Sequence, residues 1–100
     1  VAKIFITELK DMAPSDSGAG LQIARMPPIA EQAVTITGTS AQSAALNAQT
    51  KFVRITSDGV AQIAFGANPT ATTNSLRMGA GTVEYFGVVG GSKIAAILGA

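Results

Sequence analysis

Any chemistry in this chain has to come from carboxylates, amines, hydroxyls and amides, because it contains neither histidine nor cysteine. That removes the commonest general base, the commonest nitrogen ligand for metals and all thiol chemistry. Six acids remain: Glu8, Asp11, Asp16, Glu31, Asp58 and Glu84. No group of them has the dense spacing of a calcium loop. Asp58 precedes Gly59 and belongs to a turn, while Glu8 with Asp11 reads as a solvated strand end rather than a catalytic pair. The run Gly79-Ala80-Gly81-Thr82-Val83-Glu84 touches on a nucleotide-binding glycine motif. It lacks the third glycine and the following helix, so it reads as a turn entering a strand. The expectation is a protein that is not an enzyme, with no catalytic residue, no cofactor and no metal.

Charge narrows the partners. Seven Lys+Arg against six Asp+Glu give a net charge of +1, and the cations are scattered. Gripping phosphates needs a basic face, so nucleic acid is not expected as a partner. Charged residues make up only 13% of the chain, about half the usual 25% of a soluble domain. A lone monomer with so few charges would be poorly solvated, which implies that much of the surface is covered by a partner. No apolar run is long enough to span a membrane, and Val1-Ala2-Lys3-Ile4 does not read as a signal peptide. The expectation is synthesis in a host cytoplasm with no membrane partner.

The elements that would position any contact are strands. One hundred residues make one domain with a thin core, since much of the apolar 47% is alanine and there is no tryptophan. Short β-like stretches run Lys3 to Glu8, Leu21 to Arg25 and Ala33 to Thr37, the last placing Val34 and Ile36 on one face. They are separated by Pro-, Gly- and Ser-rich connections at 13–20 and at Met26-Pro27-Pro28. Residues 40–50 read as a loop leading into a strand, with one helical turn as the alternative. Lys51 to Thr56 and Val60 to Phe65 flank Ser57-Asp58-Gly59 and predict a hairpin. A three-residue loop with Gly59 left-handed pairs Ile55 with Ala61 and Val53 with Ile63, which sorts the faces best. A second hairpin is predicted around Gly90-Gly91, joining Thr82–Val89 to Ser92–Leu98, both strands covered on both faces. The fold class is all-β: a small β-sandwich or jelly-roll-like barrel of about eight short strands, with a loop-rich N-terminal segment. Residues 1–100 form a single domain with its β core at 33–100.

Two segments are candidates for partner binding. Residues 1–32 form either an arm that adds a strand to a neighbour's sheet or a strand of their own sheet. As an arm they would present Lys3, Ile4, Phe5, Ile6, Leu21, Ile23 and Arg25. The polar stretch 70–75 is either a plain connection or a contact loop offering hydrogen bonds without charge through Thr70, Thr72, Thr73 and Asn74. Lys51, Arg54, Arg77 and Lys93 sit among apolar strand residues and are expected to snorkel.

The stretches Phe65-Gly66-Ala67-Asn68-Pro69-Thr70-Ala71-Thr72-Thr73-Asn74-Ser75, Gly81-Thr82-Val83-Glu84-Tyr85-Phe86 and Gly90-Gly91-Ser92-Lys93-Ile94-Ala95 resemble small structural proteins of tailed bacteriophages. The resemblance covers about the last half of the chain and brings no catalytic motif. It implies a virion context: a capsid decoration (cement) protein, with a tail or head-fibre component as the alternative. Its partners would be the major capsid protein and further copies of itself, a trimer being the first expectation. A carbohydrate-binding module on a virion surface is a further alternative, weakened by the small number of aromatics.

Overall fold

The computed structural model describes residues 2–14 and 20–99, and for 12–14 and 20–23 the backbone alone. The strands are β1 (Lys3–Leu9), β2 (Met12–Pro14), β3 (Gly20–Ala24), β4 (Ala30–Thr35), β5 (Ala41–Gln42), β6 (Phe52–Ser57), β7 (Ala61–Gly66), β8 (Leu76–Met78), β9 (Val83–Gly87) and β10 (Lys93–Leu98). Eight of them form two four-stranded antiparallel sheets, ordered β4-β1-β6-β9 and β5-β10-β7-β8. We call these the front and back sheets. β2 and β3 pair only with each other, as a separate hairpin.

The fold is therefore the all-β sandwich expected from the sequence, and its strand order is that of a jelly roll with one exchange. A jelly roll carries its strands as B-I-D-G and C-H-E-F. Assigning B to H to β4 through β10 in chain order matches both sheets and leaves position I, which β1 fills. The strand that would come last in the chain comes first. Both ends meet the same corner: Ile36 N–H donates to Ala2 O (3.0 Å) and Leu98 N–H to Thr37 O (2.8 Å).

β-Branched residues at alternate positions build the core. Ile4, Ile6, Val34, Ile36, Val53 and Ile55 from the front face Ala61, Ile63, Met78, Ile94 and Ala96 from the back, with Leu46 closing one end. This is the period-two pattern of strands with one buried face. Val34 and Ile36 share the buried face, as their alternation predicts.

Both predicted hairpins are overturned. β6 pairs with β1 and β9, whereas β7 pairs with β10 and β8. Ile55 and Ala61 thus meet across the core rather than side by side in a ladder. The Asp58-Gly59 turn is instead a corner between sheets, held by Asp58 N–H to Lys3 O (3.0 Å). Gly59 is not left-handed, since among the described glycines only Gly81 and Gly91 have positive φ. What Gly59 provides is room: a Cβ there would lie 3.0 Å from Ala2 Cβ. The Gly90-Gly91 turn is likewise a corner, with β9 in front and β10 behind. Gly91 takes φ 85°, and a Cβ on Gly90 would collide with Ala48 O. Tight turns and sorted faces suit a corner as well as a hairpin, because facing strands bury the same residues that paired strands would. Residues 43–50 form the expected loop with no helix, but Ala41 and Gln42 before it are the short strand β5, paired with β10.

β1 is an interior strand, bonded to β4 on one side and β6 on the other. Of the two readings of the N-terminal segment, Lys3–Leu9 is a strand of its own sheet. The hairpin β2–β3 lies beyond it in a molecule 48 Å long but only 26 by 21 Å across.

Candidate interaction surface

The two outer sheet faces are finished differently. On the back sheet, Gln42, Gln62, Ala64 and Ala95 face outward by register, yet Gln62 and Ala95 are buried. The connection from β7 to β8 folds over them. Gln42 Nε2 donates to Asn68 Oδ1 and Pro69 O (both 2.8 Å). Ala71 N–H donates to Ser40 Oγ (2.9 Å), and Gln62 Nε2 donates to Thr73 O. Pro69 and Ala71 are buried beneath the strap. The strap is locally knotted by Thr72: its N–H donates to Ser75 Oγ (2.9 Å), its Oγ1 accepts from Asn74 N–H (3.2 Å) and its O accepts from Ser75 N–H (3.0 Å). This is how short hydroxyl side chains organise a turn without charge.

On the front sheet no such cover exists among the described residues. Register across the strands puts Ala33, Phe5, Thr56 and Val83 in one row and Glu31, Thr7, Arg54 and Tyr85 in the next. Phe5 is 44% exposed, Val83 44% and Tyr85 58%. Half-buried Phe52 has its ring 6.5 Å from that of Tyr85. Thr56 Oγ1 lies buried in this row with no hydrogen-bond partner. β9 is a sheet edge whose outer face no described residue covers, so any cover for it comes from outside the described chain; of its inward positions Glu84 and Phe86, Phe86 packs 5.2 Å from Phe65.

An apolar cleft of about 820 Å³ opens beside β9, lined by Phe65, Val88 and Val89 and by the glycines 66, 87, 90 and 91, with Lys51 at its wall. Cβ atoms on Gly66, Gly87 or Gly91 would meet nothing within 4 Å. Glycine in a strand leaves space that another chain can approach.

The sequence-predicted contact residues divide accordingly. Lys3 and Phe5 are exposed on the front face, but Ile4 and Ile6 are wholly buried in the core, so their assignment to a partner surface is corrected. Alternation along β1 permits only every second side chain to face out. Leu21 and Ile23 lie on β3, with side chains outside the described residues. Arg25 is exposed just after β3, its N–H donating to Asp11 O (2.9 Å). Thr70, Thr72, Thr73 and Asn74 are exposed, on a strap whose other side is packed. Val83, Tyr85, Gly66 and Gly87 were missed as a group. Their alternation was legible, but which face stays open depends on the cover supplied by residues 68–75.

Glu8 corrects another expectation. It is 3% exposed, not solvated, and its Oε1 accepts from Asn47 N–H (2.7 Å) and Thr50 Oγ1 (2.9 Å). Gln32 Nε2 donates to the other oxygen (3.3 Å). Gln32 also bridges Ala44, accepting from its N–H (3.0 Å) and donating to its O (3.3 Å). This network ties the 44–50 loop to the end of the front sheet, and a buried carboxylate so satisfied is an anchor. Among the described residues no three acids gather as a metal site.

Comparison with protein families, curated sequences and solved structures finds no match to this chain.

Proposed function

We propose that this chain is a non-enzymatic assembly subunit that decorates the outside of a virus shell, bridging copies of the major capsid protein through its front sheet face. The observation that carries the reading is the uncovered row of Phe5, Val83 and Tyr85 on a chain with 13% charged residues. Exposed apolar patches on small domains mark interaction surfaces. The phage resemblance of residues 65–95 supplies the context, and a jelly-roll order is compatible with it without implying it.

Magnitudes favour a multivalent mode. Burying the exposed parts of Phe5, Val83 and Tyr85 yields at most about 1.5–3 kcal/mol each, against association costs of the order of 4–15 kcal/mol. One copy alone is marginal. Self-association, a trimer being the first expectation, turns the second and third contacts into intramolecular ones. The mechanism is burial: each subunit covers surface on two or more shell proteins, so outward pressure must break both contacts.

The test is quantitative mass spectrometry of purified particles from the lysate in which the chain is made. A ratio to the major capsid protein near one, or a simple fraction of it, is the expected outcome. A handful of copies moves the chain to a tail or fibre, and absence from the particle overturns the reading. Exposed Tyr85, with half-buried Phe52 next to it and Arg54 and Thr7 alongside, favours one second reading, a glycan platform on the same face. Saturable binding of a simple hexose polymer, lost in Tyr85→Ala, would select it.

A further inference from the structure

We propose that the free edge of β9 accepts the β2–β3 hairpin of a second copy of this chain, joining subunits head to tail. The inference deepens the self-association part of the proposed function and rests on that reading, but not on shell binding.

The edge is built to receive a strand. Val88 N–H donates to Lys51 O and Ser57 N–H donates to Thr82 O, so the even-numbered residues of β9 bond inward to β6. Antiparallel ladders alternate, which turns the N–H and C=O of Val83, Tyr85 and Gly87 to the open side. The other long edge, β4, bonds to β1 through its even-numbered residues, and the inward side chain of Gln32 bonds to Ala44 at its end. β5 and β8 are edges of two and three residues. β9 is one of the two long edges, with β4 the other; it carries no Lys, Pro or bulge, and its one charge, Glu84, lies on the inner side in register with Ile55. Its end opens into the glycine-lined cleft, where an incoming apolar side chain has room.

The hairpin is the matching donor. Its strands bond to no others, and an isolated two-stranded hairpin is marginal in water until a third strand or a packing surface joins it. β3 is the uncharged run Gly-Leu-Gln-Ile-Ala. Exposed Arg25 follows it, and exposed Glu84 is the one charge on β9, so the two edges are complementary in sign. A donor and an acceptor on one subunit at different places make a heterologous contact, which closes into a ring or propagates.

Sedimentation velocity with native mass spectrometry tests this on the whole chain and two variants. One is Tyr85→Pro, which removes an outward N–H and spares the ladder to β6. The other replaces residues 12–24 by a short Gly-Ser linker, feasible because Asp11 and Arg25 are already hydrogen-bonded. The wild-type chain is expected to be oligomeric. Each variant weakens self-association by more than about tenfold, while an equimolar mixture forms a one-to-one heterodimer, since one partner keeps the hairpin and the other the edge. Val83→Lys repeats the edge test if Tyr85→Pro melts early. A monomeric wild type, oligomers that survive hairpin replacement, or folded variants that fail to complement each overturn the inference. Solution oligomers absent from particles keep this inference and remove the shell reading.

Discussion

The two outer faces of one sandwich differ in who covers them. The back face is covered by the chain itself, through a strap whose carbonyls and amides are taken up by Gln42, Gln62 and Ser40. The front face leaves Phe5, Val83 and Tyr85 in solvent. The two sheets have similar inner faces, so the core does not require this difference. It teaches that the fold is complete without a partner, whereas the front surface is not.

Substitutions sharpen the comparison. The largest effect is expected at the corner that joins the two sheets. Gly90→Ala drives a Cβ into Ala48 O, and displacing backbone there costs about 3 kcal/mol; chemical denaturation should show the midpoint collapse. Glu8→Ala comes next, since it orphans Asn47 N–H and Thr50 Oγ1 in a buried site, a loss of about 2–3 kcal/mol. Amide exchange should then rise first in the 44–50 loop. On the back face, Gln62→Ala releases Thr73 O and loosens the strap, for about 1 kcal/mol. The front face should behave oppositely. Tyr85→Ser and Val83→Ser change stability by less than about 0.5 kcal/mol, yet should abolish association with the assembled particle.

The smallest effect has the reverse sign. Thr56→Val replaces a buried hydroxyl that lacks a partner and should stabilise the free chain by up to about 1 kcal/mol. Thermal unfolding checks it, and a loss of stability would mean that the hydroxyl is satisfied after all.

Much of the fold was legible in the sequence because burial writes itself in alternate residues. Val34 and Ile36, or Val53 and Ile55, announce a strand and its inner face. Their partners were not legible. The same alternation in β6 and β7 fits two strands side by side or two strands facing across a core, and Asp58-Gly59 permits both. The contact surface was legible only in part for a related reason. Phe5 could be placed on a strand, but Ile4 and Ile6 became core only once β1 was seen between β4 and β6. Glu8 looked like a solvated acid because its donors, Asn47 and Thr50, lie about forty residues away in the chain.

The most direct test of the central claim uses the absence of cysteine. Single substitutions Tyr85→Cys on the front face and Asn74→Cys on the back strap can be labelled with a maleimide in the dilute free chain and in the assembled state. The account predicts that position 85 becomes protected on assembly while position 74 reacts at an unchanged rate. Protection at 74 with 85 still reactive would contradict it, and would make the strap the contact surface instead.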